Sequence, residues 1–287
     1  MRRRPLLATL GLASSIAAFP TPARAAQEPA AQAPVSPQAA APAPAETAAQ
    51  TGAKIWLGRH TEFEEYLKTA PIARLAKVPV GVNKPQRAFF AEGGLAGSAL
   101  LKHLRPGRKS GFWESYKSEI AAYRLDRVLA LDMVPPTVER SVEGESGSLQ
   151  LWVENCRLLQ DVEQSKASGS VRWMKQLRRQ RTFDNLIANI DRNSGNLLVD
   201  DQWNLILIDH SRAFGSNTMP FMKEMLRIDR EFYDRVKALD EETLIREIKP
   251  WVLDAGSVRD ILKRRDKIVE QFDRLVQEKG EAAVFQF

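Results

Sequence analysis

The sequence predicts an α+β fold with two lobes, a small β-rich lobe over about residues 53–155 and a mainly helical lobe over about 156–287. Short β-like runs bounded by glycine and proline are concentrated in the first lobe, around one long amphipathic segment. Helical spacing dominates the second lobe, where one short hairpin interrupts it. A length of 287 residues and an apolar fraction of 44% suffice for a two-lobed protein with a substantial core.

The first 25 residues have the layout of an export signal. Residues 2–4 form a charged start, residues 6–19 a modestly apolar stretch, and residues 23–25 an A-x-A cleavage site. The Arg3-Arg4 pair also resembles a twin-arginine signal, which carries proteins that are already folded. We therefore expect cleavage after residue 25 and a periplasmic or secreted protein.

Composition excludes several function classes once the signal is removed. Residues 1–25 hold four arginines and no acidic residue, so the mature chain carries 38 basic and 36 acidic side chains, a net charge of +2 rather than +6. This balance does not favour nucleic acid as a partner. Residues 26–52 are rich in alanine and proline, which predicts a flexible linker. No apolar run after the signal is long enough for a permanent membrane span.

Cysteine and histidine usage argues against disulfide and zinc chemistry. Cys156 is the only cysteine, so no disulfide can form within the chain. The three histidines are scattered, and we interpret each as a surface or hydrogen-bonded side chain rather than a metal ligand: His60, His103 and His210.

The first lobe is expected to begin with a helix over Glu62 to Lys77, interrupted at Pro71. A β-like run at residues 87–90 and a strand at residues 99–102 follow, joined by a glycine-bearing turn. A glycine turn between two strands brings backbone N–H groups close to phosphates, because glycine adds no Cβ.

Three residues of this turn and strand are candidate nucleotide ligands. Gly97 and Ser98 close the turn, where backbone N–H groups are available. Lys102 stands at the end of the second strand, where its ammonium is suited to contact phosphates as a point charge.

A helix is predicted over residues 112–130, with an apolar face for the core. Glu119 lies on this helix, seventeen positions after Lys102, and is a candidate ion-pair partner for that lysine. Residues 134–136 (VPP) end the helix and begin the next strand at 137–140. A further strand at 149–154 leads to the connection between the lobes. From its order in the chain, we expect Glu154 to face the base of a bound nucleotide.

The second lobe is predicted to begin with a helix over residues 171–190, whose basic residues we interpret as a solvated face. Residues 197–199 and 204–208 read as a hairpin around the turn 200–202. After Pro220 the chain is predicted to be helical, with breaks near Pro250 and Gly256.

The chemistry is concentrated around this hairpin. Asp191 and Asn196 lie five residues apart on a loop, and Asp209 ends the second hairpin strand. Phosphoryl transfer needs such a set, because one Asp orients the acceptor hydroxyl while an Asn and another Asp hold Mg²⁺ against the phosphates. The Asp-to-Asn spacing equals that of the protein-kinase catalytic loop. The sequence therefore predicts ATP as nucleotide and Mg or Mn as metal.

Two blocks of the chain resemble the secretory-pathway kinases of the Golgi casein kinase and four-jointed type. The first block comprises residues 97–102 (GSALLK), 118–129 (SEIAAYRLDRVL) and 134–136 (VPP). The second comprises residues 183–192 (FDNLIANIDR) and 207–215 (LIDHSRAFG). The resemblance covers roughly residues 85–220 and implies a two-lobed, atypical protein-kinase-like fold.

Position by position, the resemblance implies a role for each candidate. Lys102 would bind phosphates, and Glu119 would pair with it or help to hold metal. Asp191 would be the catalytic base and Asp209 a metal ligand. Asn196 departs from the animal kinases and is similar to HipA-type and phosphoinositide kinases, in which this Asn is a second metal ligand. The missing cysteines are a further departure, because the animal enzymes are disulfide-stapled.

Three functions remain open from the residues. The first is an exported kinase acting on a hydroxyl of a protein or glycan. The second is a non-catalytic pseudokinase that binds a nucleotide or a partner. The third is a phosphoinositide-like or small-molecule kinase, which shares the chemistry and differs in its acceptor pocket. The complete set of metal and base residues favours the first.

Overall fold

The computed structural model describes residues 52–78, 85–109, 111–163, 166, 169–220, 225–253 and 255–286. The predicted export signal and nearly all of the predicted linker lie outside the described residues. The described helices and strands are, in chain order, α1 (His60–Thr69), β1 (Ile72–Lys77), β2 (Gln86–Phe90), β3 (Ser98–Lys102), β4 (Gly107–Lys109), β5 (Phe112–Glu114), α2 (Tyr116–Leu129), β6 (Thr137–Val142), β7 (Glu145–Leu151), β8 (Cys156–Leu158), α3 (Val171–Leu186), β9 (Leu197–Asp200), β10 (Leu205–Leu207), α4 (Arg230–Lys237), α5 (Glu241–Glu247), α6 (Ala255–Lys279) and α7 (Glu281–Val284).

A five-stranded antiparallel sheet forms the first lobe, in the order β1-β2-β3-β7-β6. Helix α1 buries Phe63 and Leu67 in the same apolar cluster as Ala88, Leu101 and Leu149 of the sheet. A second, larger cluster joins α2 to the helices and the hairpin of the other lobe. The two clusters confirm the predicted α+β architecture of two lobes.

The predicted helix over Glu62 to Lys77 is wrong in its second half. Helix α1 ends at Thr69, and Ala70 is extended with φ −58° and ψ 133°. A residue before proline avoids helical geometry because of the Pro71 ring. Beyond the proline the chain forms β1, which pairs antiparallel with β2 at the edge of the sheet.

The predicted helix over residues 112–130 is shorter than expected. Phe112 to Glu114 form β5, which pairs with β4. Ser115 then caps α2 by accepting a hydrogen bond from the Lys117 backbone N–H. The helix ends where Ala130 adopts the left-handed conformation.

The chain after α2 is held by Asp126, whose Oδ2 accepts hydrogen bonds from the backbone N–H groups of Met133 and Val134, each at 2.9 Å. The contact positions the two prolines that lead into β6. Strand β7 corresponds to the strand predicted at residues 149–154. It begins earlier, at Glu145, and ends earlier, at Leu151.

Helix α3 also ends earlier than the predicted residue 190. Ala188 has a positive φ of 50°, and the Asn189 backbone N–H donates to the Asp184 carbonyl at 2.9 Å. This closes the last turn in the manner of a left-handed helix cap. The bend aims residues 189–196 at the neighbouring hairpin.

The predicted hairpin is confirmed. Strands β9 and β10 pair antiparallel, with Val199 opposite Leu205, and β8 completes a three-stranded sheet. Leu197, Val199, Leu205 and Leu207 pack in the large cluster with α3 and α6, whereas Ile206 packs in the first-lobe cluster. Among the described residues, no helix has the length and apolarity required to cross a membrane.

Candidate active site

An ion pair between Lys102 and Glu119 is the centre of the site. Lys102 ends β3, and Glu119 lies in the first turn of α2. Lys102 Nζ donates to Glu119 Oε1 at 2.6 Å, and both side chains are buried. The predicted ion-pair partners are therefore in contact.

Burial acts against both charges of this pair, and attraction outweighs it. Burial alone lowers the pKa of Lys102, but the carboxylates of Glu119 and Asp209 raise it above its ordinary value. Burial raises the pKa of Glu119, but the Lys102 ammonium and contacts from His210 hold it well below its ordinary value. Both groups are thus charged at neutral pH.

Asp209, from the other lobe, contacts the ammonium of Lys102. It follows β10, adopts a positive φ of 57°, and accepts through Oδ1 from Lys102 Nζ at 2.9 Å. The Ser211 hydroxyl donates to the same oxygen at 3.1 Å. Aspartate tolerates the left-handed conformation better than most residues. Lys102 therefore links a helix of the first lobe to the end of the hairpin in the second.

The loop 191–196 is folded against this hairpin. Asn196 Nδ2 donates to the Asp191 carbonyl at 3.0 Å, and the Ile208 backbone N–H donates to the Asn196 carbonyl at 3.2 Å. These bonds hold Asn196 beside the residue that precedes Asp209. The Asp191 carboxylate is 43% exposed.

Arg192 organises the loop, and sequence reasoning missed it. Its guanidinium makes an ion pair with Asp184 at 2.9 Å. It also donates to the carbonyls of Asn196 at 2.6 Å and Ile208 at 2.7 Å. One buried side chain thus fixes the backbone on both sides of the candidate metal ligands. The F-D and D-R pairs of the second motif block were the available signal.

His210 is buried rather than at the surface. Its backbone N–H donates to Glu119 Oε2 at 2.8 Å, and Arg192 Nη2 donates to its Nε2 at 2.8 Å. Burial lowers its pKa, and the contact with Glu119 does not reverse the shift. A neutral ring with Nε2 as acceptor fits the arginine donor. Both oxygens of Glu119 are therefore occupied, one by Lys102 and the other by this backbone.

The structure does not bring Gly97, Ser98 and Glu154 together with Lys102. Ser98 starts β3 and Lys102 ends it, a separation of about 13 Å at the strand rise. Arg87 joins the other candidates, since it donates to Ser98 Oγ at 2.9 Å and to Glu154 Oε1 at 2.5 Å. Gly97, Ser98 and Glu154 therefore lie beside the connection between the lobes, and we call them the hinge-end group. Their nucleotide-binding role stays a prediction.

Asn196 and Asp209 offer oxygen ligands that suit a hard divalent cation. The Asn196 amide nitrogen is engaged by the Asp191 carbonyl, which leaves the amide oxygen on the other side. Among the described residues, His, Cys, Asp and Glu side chains form no group of three that could hold a metal. A cation here would therefore complete its shell with phosphate oxygens and water. The donor set fits Mg²⁺ or Mn²⁺ carried by a nucleotide.

Arg212 contacts the candidate base and was also missed. Its Nη1 donates to Asp191 Oδ2 at 3.2 Å, and its Nε donates to Glu114 Oε1 at 2.7 Å. Its guanidinium lies 5.0 Å from the centre of the Phe112 ring. The β4–β5 hairpin is thereby linked to the loop 191–196.

Comparison with known proteins identifies the fold. No family model matches the chain, and no curated protein matches it. The chain is similar to the Golgi casein kinase with Mn/ADP bound (16% identity, TM-score 0.60, covering 79% of this chain and 78% of that one). It is similar to hydra Fam20 with sugar (15%, 0.57, 79% and 91%) and to the Helicobacter pylori proinflammatory kinase CtkA (10%, 0.51, 74% and 98%).

The chain has a kinase-like fold. The predicted likeness to the secretory-pathway kinases is confirmed at the level of fold. In this fold Lys102, Glu119 and Asp209 meet across the two lobes, as the distances above show.

Proposed function

We propose that the chain is an exported kinase that transfers the γ-phosphate of ATP to a hydroxyl of a protein or glycan acceptor. Asp191 accepts the hydroxyl proton, and Lys102 contacts the phosphates. Asn196 and Asp209 would hold Mg²⁺ or Mn²⁺, which neutralises charge on the phosphates when bound. The proposed location, in the periplasm or outside the cell, rests on the predicted export signal of residues 1–25.

The contact of Lys102 with both Glu119 and Asp209 carries this proposal. A buried ammonium between two carboxylates costs desolvation, and packing alone does not require it. The arrangement is useful when phosphates arrive, because Lys102 is already charged and aimed at the position of Asp209. Arg192 keeps Asn196 and the approach to Asp209 in place before the nucleotide binds.

Phosphate transfer from labelled ATP tests the function. The mature chain and Asp191→Ala are incubated with Mg²⁺ or Mn²⁺ and separate protein, glycan and phosphoinositide acceptors. Loss of general-base assistance should lower transfer by ~10²–10⁴-fold while nucleotide binding persists. Asp201→Ala is the matched control, because this aspartate is exposed in the β9–β10 turn. Equal rates for the parent and Asp191→Ala would remove Asp191 from the role.

The metal role is tested separately by nucleotide binding. Asp209→Asn should weaken binding of ATP in the presence of Mg²⁺ or Mn²⁺ and leave the weaker metal-free binding nearly unchanged. Calorimetric titration with and without metal measures both. A similar loss of ATP affinity with and without metal would mean that Asp209 acts only through its contact with Lys102.

A nucleotide-binding pseudokinase is the second candidate, and the Arg212 contact favours it. The Arg212 guanidinium occupies Asp191 Oδ2, an oxygen that a base would offer to the acceptor hydroxyl. Under this function, parent and Asp191→Ala bind the nucleotide equally and neither transfers phosphate. Arg212→Gln distinguishes the two candidates, since a rise in transfer identifies a kinase restrained by this contact.

A further inference from the structure

A basic cleft is lined by none of the residues of the candidate active site. It is a cavity of about 250 Å³ between the segment before α1, the turn that follows α2 and the first turns of α3. Four cationic side chains line it: Lys54, Arg172, Lys175 and Arg179. We keep the name basic cleft for this cavity.

Lys54 is the most buried of the four. The residue is 6% exposed, and its Nζ donates to the Asp132 carbonyl at 2.7 Å. Burial lowers its pKa to about 8, although nearby Asp126 and Asp132 act in the opposite direction. Its direct hydrogen bond is thus to a neutral oxygen, and an added anion would stabilise its charged form.

Arg172 and Lys175 line the cleft from α3, and neighbouring carboxylates neutralise their positive charges only weakly. Arg172 donates to the amide oxygen of Asn204, which is neutral. Lys175 lies 3.6 Å from Asp229, but Arg179 already donates to both oxygens of that carboxylate. Arg179 is therefore satisfied, whereas Lys175 shares a carboxylate that has a better partner.

Several carboxylates lie near the cleft: Asp126, Asp132, Asp200 and Asp229. Asp132 is the one carboxylate in its described lining, and His60 Nε2 lies 3.5 Å from it. Asp200 lies behind Lys54 and accepts from the backbone N–H groups of Ala53 and Asn204. The lining therefore holds four cations and one carboxylate, and Asp229, which is paired with Arg179, lies beside it.

We propose that the basic cleft binds a phosphate or sulfate group, free or as the ester of a small molecule. Arginine recognises tetrahedral oxyanions through its planar fork, and lysine adds a point charge. The volume has room for roughly eight water molecules, hence for one oxyanion and a small substituent. The site is independent of the proposed kinase function, because it shares no residue with it.

Calorimetric titration of the mature chain with inorganic phosphate, sulfate and glycerol phosphate tests the proposal, at an ionic strength held constant with chloride. Arg172→Gln/Lys175→Gln should weaken binding at least tenfold. Lys267→Gln/Arg274→Gln removes the same charge from exposed positions of α6 and should bind like the parent. Lys102→Met removes the lysine of the candidate active site and should also retain binding.

Each outcome decides between the two sites. Phosphate binding that survives Arg172→Gln/Lys175→Gln and disappears in Lys102→Met overturns the proposal, as does affinity no greater than that for chloride. Tighter binding of glycerol phosphate than of inorganic phosphate identifies an ester as ligand, and the reverse identifies the free anion. Circular dichroism checks the fold of each variant, and the single variant Lys175→Gln, expected to weaken binding about threefold, replaces the double one if it unfolds.

Discussion

Helix α2 carries two fully buried carboxylates, two turns apart, whose environments differ. Glu119, near its start, faces the Lys102 ammonium at 2.6 Å. Asp126, near its end, accepts two backbone N–H groups through Oδ2, and its Oδ1 has no hydrogen-bond partner among the described residues. Burial raises the pKa of Asp126 to about 7, whereas the pKa of Glu119 lies well below its ordinary value.

The different environments of Glu119 and Asp126 show how one helix can hold a charged carboxylate at one end and shape a turn with another at its other end. A carboxylate that must stay charged has a cation in direct contact, because desolvation otherwise neutralises it. A carboxylate that only shapes a turn can rely on backbone donors. The start of α2 therefore holds a charged pair at the candidate active site, and its end fixes the entry to β6.

The largest expected effect comes from Glu119→Gln. The neutral amide leaves Lys102 with Asp209 as its one charged partner, which is partly exposed. Removing one member of a buried pair costs roughly 3–5 kcal/mol, so the free energy of unfolding should fall by about 4 kcal/mol. Urea denaturation at pH 7 measures it.

Acid titration sharpens this result. The folded pKa of Glu119 is depressed, so its stabilisation is present above the unfolded pKa of about 4.3 and is lost as pH falls below it. The parent should lose stability more steeply than Glu119→Gln in that range. The exposed control Glu154→Gln should keep the parental slope, and a parallel fall in Glu119→Gln would contradict the assignment.

Asp126→Asn tests a pH dependence of stability opposite in sign to that of Glu119. A raised folded pKa means that the folded protein retains a proton that the unfolded chain has lost, between about pH 4 and 7. The parent should therefore lose stability as pH rises through this window, by ~1.4 kcal/mol per pH unit and about 2 kcal/mol between pH 5 and 7. Asp126→Asn should not show that loss. A variant with the parental slope would show that Asp126 titrates normally.

Sequence reasoning found the residues whose spacing is dictated by the chemistry. Lys102, Glu119 and Asp209 were recognisable because phosphate contact, ion pairing and metal binding limit the residue types. The hairpin was predicted because apolar runs of strand length flank a turn at residues 200–202. The structure brings Lys102, Glu119 and Asp209 into contact. The roles of Lys102, Asp191, Asn196 and Asp209 in phosphate transfer all stay predictions.

The remainder depends on tertiary contacts that local patterns do not encode. Residues 72–77 look helical in isolation and become β1 because β2 offers a sheet edge. The F-D and D-R pairs point to Asp184 and Arg192, but no local pattern shows that Arg192 also contacts Asn196, Ile208 and His210. The basic face of α3, interpreted as solvated, holds Arg179 in a bidentate contact with buried Asp229.

The smallest expected effect on the pH dependence of stability comes from Lys54→Met. This variant removes the cation near Asp126. Lys54 attracts the Asp126 carboxylate and is the last of the causes that act on its pKa. Removing the ammonium should raise the midpoint of Asp126 further, by less than about one pH unit. The pH at which stability stops falling should shift upward by that amount, while the exposed control Lys68→Met leaves it in place. A downward shift would mean that Lys54 acts on Asp126 through packing rather than charge, since loss of a nearby cation can only favour the protonated acid.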